Sequence, residues 1–173
     1  MWPLIVENYL RKHNYRQIGS GMYSSVYSRD GLSYAIKISN DFKYWPKYVL
    51  WATYHGYAGS FAPKVYRFVN FGSYFIAVME KLDHCAGRST LSALNSRSYY
   101  YRDFYHLYPG LKCFIHRLKY DGRRIGDLHS GNWMLNADET RLCLIDPQCD
   151  LQITVPRKWK HETVFTKYSH LFK

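Results

Sequence analysis

The sequence predicts an α+β fold in two parts. A five-stranded antiparallel sheet with one helix is expected over residues 1–82, and a reduced, helical part over 83–173. Up to residue 82, short β-patterned segments alternate with Gly-bearing turns at Gly19–Gly21, Asp30-Gly31 and Gly72-Ser73; beyond it the apolar spacing turns helical. A third observation fixes the order of the parts. A Gly-rich turn and a strand Lys37 come first, and a run of Asp127, Asn132 and Asp146 follows.

Residues 2–12 carry Leu4, Ile5, Tyr9 and Leu10 at helical spacing, which packs one face on the body. Arg16–Gly19 and Ser25–Ser28 read as strands around the Gly-rich turn. Arg29-Asp30-Gly31 is a hairpin turn, because Asp-Gly readily takes the positive φ such turns need. Ser33–Ser39 is the third strand, and a helix over 44–57 opens near Pro46 and closes at Gly56 or Gly59. Residues 64–71 and 74–80 form the next hairpin. In the second part, 90–95 is a short helix and 100–120 a long one, kinked or split at Pro109-Gly110. Trp133–Leu135 and Arg141–Ile145 are short strands bracketing an Asn-Ala-Asp-Glu-Thr turn. The tail from Pro156 interleaves Trp159, Phe165, Tyr168, Leu171 and Phe172 with Arg157, Lys158, Lys160 and Lys167. It reads as a helix packed on the body with a basic outer face.

With 173 residues, 47% of them hydrophobic and 18% aromatic, the chain can bury a core of one domain or two small lobes. Lys plus Arg exceed Asp plus Glu by 24 − 13 = 11, which favours acidic partners: nucleotide phosphates, nucleic acid or an acidic protein face. No apolar run approaches the roughly 20 residues of a membrane helix, and the start lacks a basic region before a long apolar one. The expectation is a cytosolic protein with no membrane partner. Cys85, Cys113, Cys143 and Cys149 stand far apart, so reduced thiols are expected rather than a zinc site.

The chemistry sits in four segments. Gly19, Ser20 and Gly21 let the backbone approach phosphate closely, Ser24 is small enough to do the same, and Val26 lies where it packs on a purine. Ala35 and Lys37 lie two apart on an apolar strand, placing an ammonium for α- and β-phosphate charge. Such a Lys is usually oriented by a helix Glu, but no Glu occurs between Glu7 and Glu80, and Asp41 is the nearby acid. Met79 and Glu80 end the sheet where a hinge near 79–83 would wall a nucleotide and offer backbone groups to it. In Asp127-Leu-His-Ser-Gly-Asn132, Asp127 would orient or deprotonate an acceptor hydroxyl. Asn132 and Asp146 would hold Mg²⁺ against ATP phosphates.

From the Gly-rich loop to Asp146 the chain resembles the protein-kinase-like superfamily. The finer match, through His-Ser-Gly-Asn132 and Asp146-Pro, is to the early serine/threonine protein kinase of T-seven-like lytic bacteriophages. The resemblance implies a bilobal fold with a minimal, truncated C-lobe. It implies ATP-dependent phosphorylation of host bacterial proteins on Ser or Thr, in the cytoplasm of the host bacterium. His129 stands where protein kinases have a Lys that contacts the γ-phosphate and where small-molecule phosphotransferases place His, which opens an alternative with a small-molecule acceptor. A further alternative is a kinase-like binder that inhibits a host protein or nucleic acid. Asp146-Pro-Gln148 replaces Asp-Phe-Gly and no Ala-Pro-Glu follows, so no separately phosphorylated activation loop is expected.

Overall fold

Helix α1 (Trp2–Lys12) opens the chain in the computed structural model, which describes residues 2–83, 108–122, 124–126, 128, 130–136, 140–155 and 157–160. It leads into β1 (Arg16–Ser20), β2 (Ser24–Ser28) and β3 (Tyr34–Ser39). Gly31, at φ 77°, makes the β2–β3 turn in the left-handed region that Asp-Gly was expected to reach. Helix α2 (Trp45–Tyr54) begins with Pro46 in its first turn, where a missing N–H costs nothing, and stops before Gly56 at φ 73°. Strands β4 (Val65–Asn70) and β5 (Phe75–Glu80) follow, turning at Gly72.

These five strands form the expected antiparallel sheet in the order β1-β2-β3-β5-β4. The fold is α+β. A sixth strand, β10 (Lys158–Lys160), adds antiparallel to β4, with Trp159 opposite Phe68. This corrects the reading of the tail as a helix at those residues; 161–173 lie outside the described residues. The physical reason is the edge of β4, whose unpaired backbone groups gain a partner when β10 covers them. Asn70 N–H donating to the Arg157 carbonyl at 2.9 Å extends the seam.

On one sheet face Tyr27, Tyr34, Ile36, Ile38 and Val78 pack with Leu10 of α1 and with Tyr15. The Tyr15 and Tyr34 hydroxyls hydrogen-bond each other at 2.7 Å inside that core.

The chain divides into two compact units: residues up to 42, 64–81 and from 155 in one, 43–63 and 82–154 in the other. A single cut at residue 82 does not describe them, because α2 belongs with the second unit and β10 with the first. The second unit also holds α3 (Leu111–Asp121). Gly110, at φ 90°, cannot continue a helix into Leu111, so α3 starts there and the Pro109-Gly110 break is a true boundary. Two ladders complete the unit: β6 (Ile125–Gly126) pairs with β9 (Gln148–Cys149), and β7 (Trp133–Leu135) with β8 (Leu142–Leu144). The helix expected at 90–95 and the start of the one expected at 100–120 lie outside the described residues. Among those described, no helix is long and apolar enough to cross a membrane.

Candidate active site

In the first unit, strand register gathers the nucleotide candidates on one face. Val26 pairs with Lys37 and Lys37 with Ala77; one row away, Ala35 pairs with Met79. Cross-strand partners share a face and alternate residues oppose it, so Val26, Ala35, Lys37 and Met79 lie opposite the core that α1 covers. Lys37 is 5% exposed there, flanked by the apolar Ala35, Ala77 and Met79. A strand Lys with only a packing role would extend to solvent, and this one does not.

The β1–β2 connection is closed by Gly21 N–H donating to the Ser24 carbonyl at 2.8 Å. Its base is tied to the end of β3 by Ser39 Oγ donating to the Tyr23 carbonyl at 2.9 Å. Ser20 and Gly21 are exposed, and Met22, 87% exposed, is at the tip. Neither Gly19 nor Gly21 has positive φ. A Cβ on Gly19 would sit 3.8 Å from Val26 and one on Gly21 3.5 Å from Ser24 Oγ, ordinary contact distances. The chain's own packing therefore does not require glycine at either position.

Glu80 is tied within the sheet. Its carboxylate accepts the Lys64 N–H at 2.8 Å, and its own N–H donates to the Lys64 carbonyl at 2.9 Å. Lys81 N–H donates to the Ser33 carbonyl at 3.0 Å. The backbone donors at 80 and 81 are thus committed to the sheet, and the carboxylate pins the entry of β4 to the exit of β5.

In the second unit the metal candidates meet. Asn132 ends a short 3₁₀ turn (Ser130–Asn132) and its Nδ2 donates to the Asp146 carbonyl at 3.0 Å. The Asn132 carbonyl accepts Ile145 N–H at 2.7 Å. Two aromatic side chains from α2 continue the pattern: Tyr48 hydroxyl donates to the Leu144 carbonyl at 2.8 Å, and Trp45 Nε1 to the Ile145 carbonyl at 3.0 Å. Three consecutive carbonyls, 144 to 146, are each held by a side chain. Burial pushes the Tyr48 phenol well above its ordinary value, and Cys143, Cys149 and Asp146 push the same way, so it remains a neutral donor.

Sequence reasoning missed Trp45 and Tyr48. Their spacing signals one buried helix face, and only their polar tips, which seek partners when buried, hint at more. The usual helix Glu is absent from α2, whose first turn carries no acid. Asn132 offers its amide Oδ1 and Asp146 its carboxylate, oxygen donors of the kind a hard cation selects. Asp127 and His129 lie outside the described residues.

No family model matches the chain, and no curated protein matches it in sequence. Solved structures similar to it include variants of a thermostable aminoglycoside phosphotransferase APH(4)-Ia. One, in ternary complex with ADP and hygromycin B, is 16% identical with a TM-score of 0.36, over 51% of this chain and 34% of that one. A second, with AMP-PNP and hygromycin B, is 16% identical with a TM-score of 0.37 over the same shares. A third, also with AMP-PNP and hygromycin B, is 14% identical with a TM-score of 0.36, over 50% of this chain and 33% of that one. The chain thus spans about a third of the length of these structures.

Proposed function

We propose that the chain is an ATP-dependent phosphotransferase whose acceptors are Ser or Thr hydroxyls of host bacterial proteins, acting in the cytoplasm of a phage-infected cell. The observation that carries this reading is the hydrogen bond from the Asn132 side chain to the Asp146 main-chain carbonyl, which brings together two residues predicted from their spacing to share a metal. Lys37, buried on the face that also holds Val26, Ala35 and Met79, is the phosphate-binding cation. The lack of any intrachain need for glycine at 19 and 21 fits a demand set by a bound phosphate.

In the reaction, the acceptor hydroxyl gives its proton to Asp127 and its oxygen bonds to the γ-phosphorus. The bond from that phosphorus to the bridging oxygen breaks, and ADP leaves. Bound Mg²⁺ supplies charge neutralisation at the phosphates. Asn132 and Asp146 would hold it, while Lys37 fixes the α- and β-phosphates.

The test is transfer of label from γ-³²P-ATP with pure protein, Mg²⁺ and a bacterial lysate. Labelled protein bands that vanish with Asp146→Ala support the proposal. Labelled small molecules would move the assignment to the alternative that His129 opens. No transfer at all would leave a kinase-like binder and overturn the enzymatic reading.

A further inference from the structure

Helices α2 and α3, with the irregular segment after β9, line a groove of about 620 Å³ in the second unit, and neither Asn132, Asp146 nor the Gly-rich loop is among its lining residues. That volume is within the range of roughly 300–1,000 Å³ typical of ligand sites. Leu50 and Trp51 contribute from α2 and Ile153 from the far wall, so the lining is mainly apolar. Tyr54, also on the lining, is 83% exposed, a large aromatic ring left facing water.

One end of the groove carries a built charge cluster. Trp51 Nε1 donates to Asp121 Oδ2 at 2.9 Å, Arg117 Nε donates to the same oxygen at 2.7 Å, and His55 Nε2 stands 3.5 Å from it. Because Arg117 is held through Nε, its two terminal amino groups make no hydrogen bond among the described residues. Its guanidinium carbon lies 5.9 Å from the Tyr120 ring centre, and the side chain is 48% exposed. A guanidinium fixed in this way is a preset fork for a carboxylate, with less rotamer freedom to lose than a free surface Arg. Asp121 takes only the Nε–H of Arg117, so the terminal amino groups are the donors this end presents.

The opposite wall offers main-chain groups. Leu151 N–H donates to the Cys149 carbonyl at 3.1 Å, but the backbone of residues 152–154 makes no hydrogen bond among the described residues. Apolar floor, open main chain and cationic fork together match a peptide in extended form. Such a ligand gains affinity from main-chain pairing and specificity from alternate side chains.

We propose that this groove docks an extended segment of an acidic partner protein, with alternate aliphatic side chains against Trp51 and Ile153 and a carboxylate on the Arg117 fork. The strongly basic balance of the chain, +11, draws partners of the opposite sign. The assignment concerns binding alone and does not depend on phosphoryl transfer.

The test uses the full chain, immobilised, and a library of short random peptides whose bound fraction is sequenced. Enrichment of Asp or Glu at one position beside aliphatic residues at alternate positions is expected. Arg117→Gln should erase the acidic preference, and Ile153→Asp should weaken the selected peptides about tenfold or more. Far-UV circular dichroism checks that both variants stay folded, and Arg117, nearly half exposed, can be replaced without opening the core. No enrichment overturns the proposal, as does enrichment untouched by both variants. So does self-association abolished by Ile153→Asp in sedimentation equilibrium, which would make a second copy the occupant.

Discussion

At the scale of single residues, the sharpest test separates what Lys37 does for stability from what it does for chemistry. Lys37→Met keeps the volume and removes the charge, so its melting temperature reports what the ammonium contributes to the fold. The same change should lower kcat/KM about 10²–10³-fold if the residue stabilises phosphate charge. Loss of fold without a separate loss of activity would make Lys37 structural. Tyr48→Phe argues the other way. It strips the donor from a buried carbonyl at Leu144 and should cost about 1–3 kcal/mol in urea unfolding, while raising the Mg²⁺ concentration needed for transfer. Asp121 makes a pH prediction. Burial pushes its carboxyl up, but the hydrogen bonds from Trp51 and Arg117, with the charges of Arg117 and His55, outweigh this and hold it below the ordinary value. A depressed carboxyl contributes stability above the unfolded value of about 3.9, and that stability is lost as pH falls through the folded value. Asp121→Asn should therefore be less stable at neutral pH and show a flatter acid limb in denaturation followed from pH 6 to 2. At this scale the nearness of Asn132 to Asp146 was legible because their spacing is local, on either side of one hairpin. Trp45 and Tyr48 were not, because a helix pattern reports which face is buried and not which distant carbonyl the polar tip will find.

At the scale of elements, the Gly-punctuated hairpins were readable because each turn and its two strands are neighbours in sequence. Gly31 and Gly72 show it, both with the positive φ that a turn demands. Strand β10 was not readable. It has three residues, too few for a period, and its reason for being a strand is the far-upstream edge of β4. Its aromatic spacing matched a helix because the rule sees only near neighbours. Truncation after Val155 should thus do more than trim a tail. It reopens the edge of β4, and higher-order species should appear in size-exclusion chromatography together with a lower urea midpoint. A monomer of unchanged stability would show that β10 adds nothing to the sheet. The pairing of β6 with β9 was equally hidden, since two-residue strands leave no pattern at all.

At the scale of the whole molecule, the excess of 11 positive charges acts at long range, with Arg157 and Lys158 exposed at the sheet edge. Attraction of this kind is screened within about 10 Å at 0.1 M salt. The KM for an acidic protein substrate should climb as salt is raised, and reversing Arg157 and Lys158 to Glu should raise it further without changing the KM for ATP. Identical salt profiles for the variant and the parent would leave that edge a cover for β4 and nothing more. Helix α2 carries no acid, and the contacts it makes have a physiological reading. The backbone from Leu144 to Asp146 is held carbonyl by carbonyl, by Tyr48, Trp45 and Asn132, so turning any of those peptide planes breaks a hydrogen bond. If phosphoryl transfer is its chemistry, an off-state reached by turning that stretch of backbone would forfeit all three contacts at once.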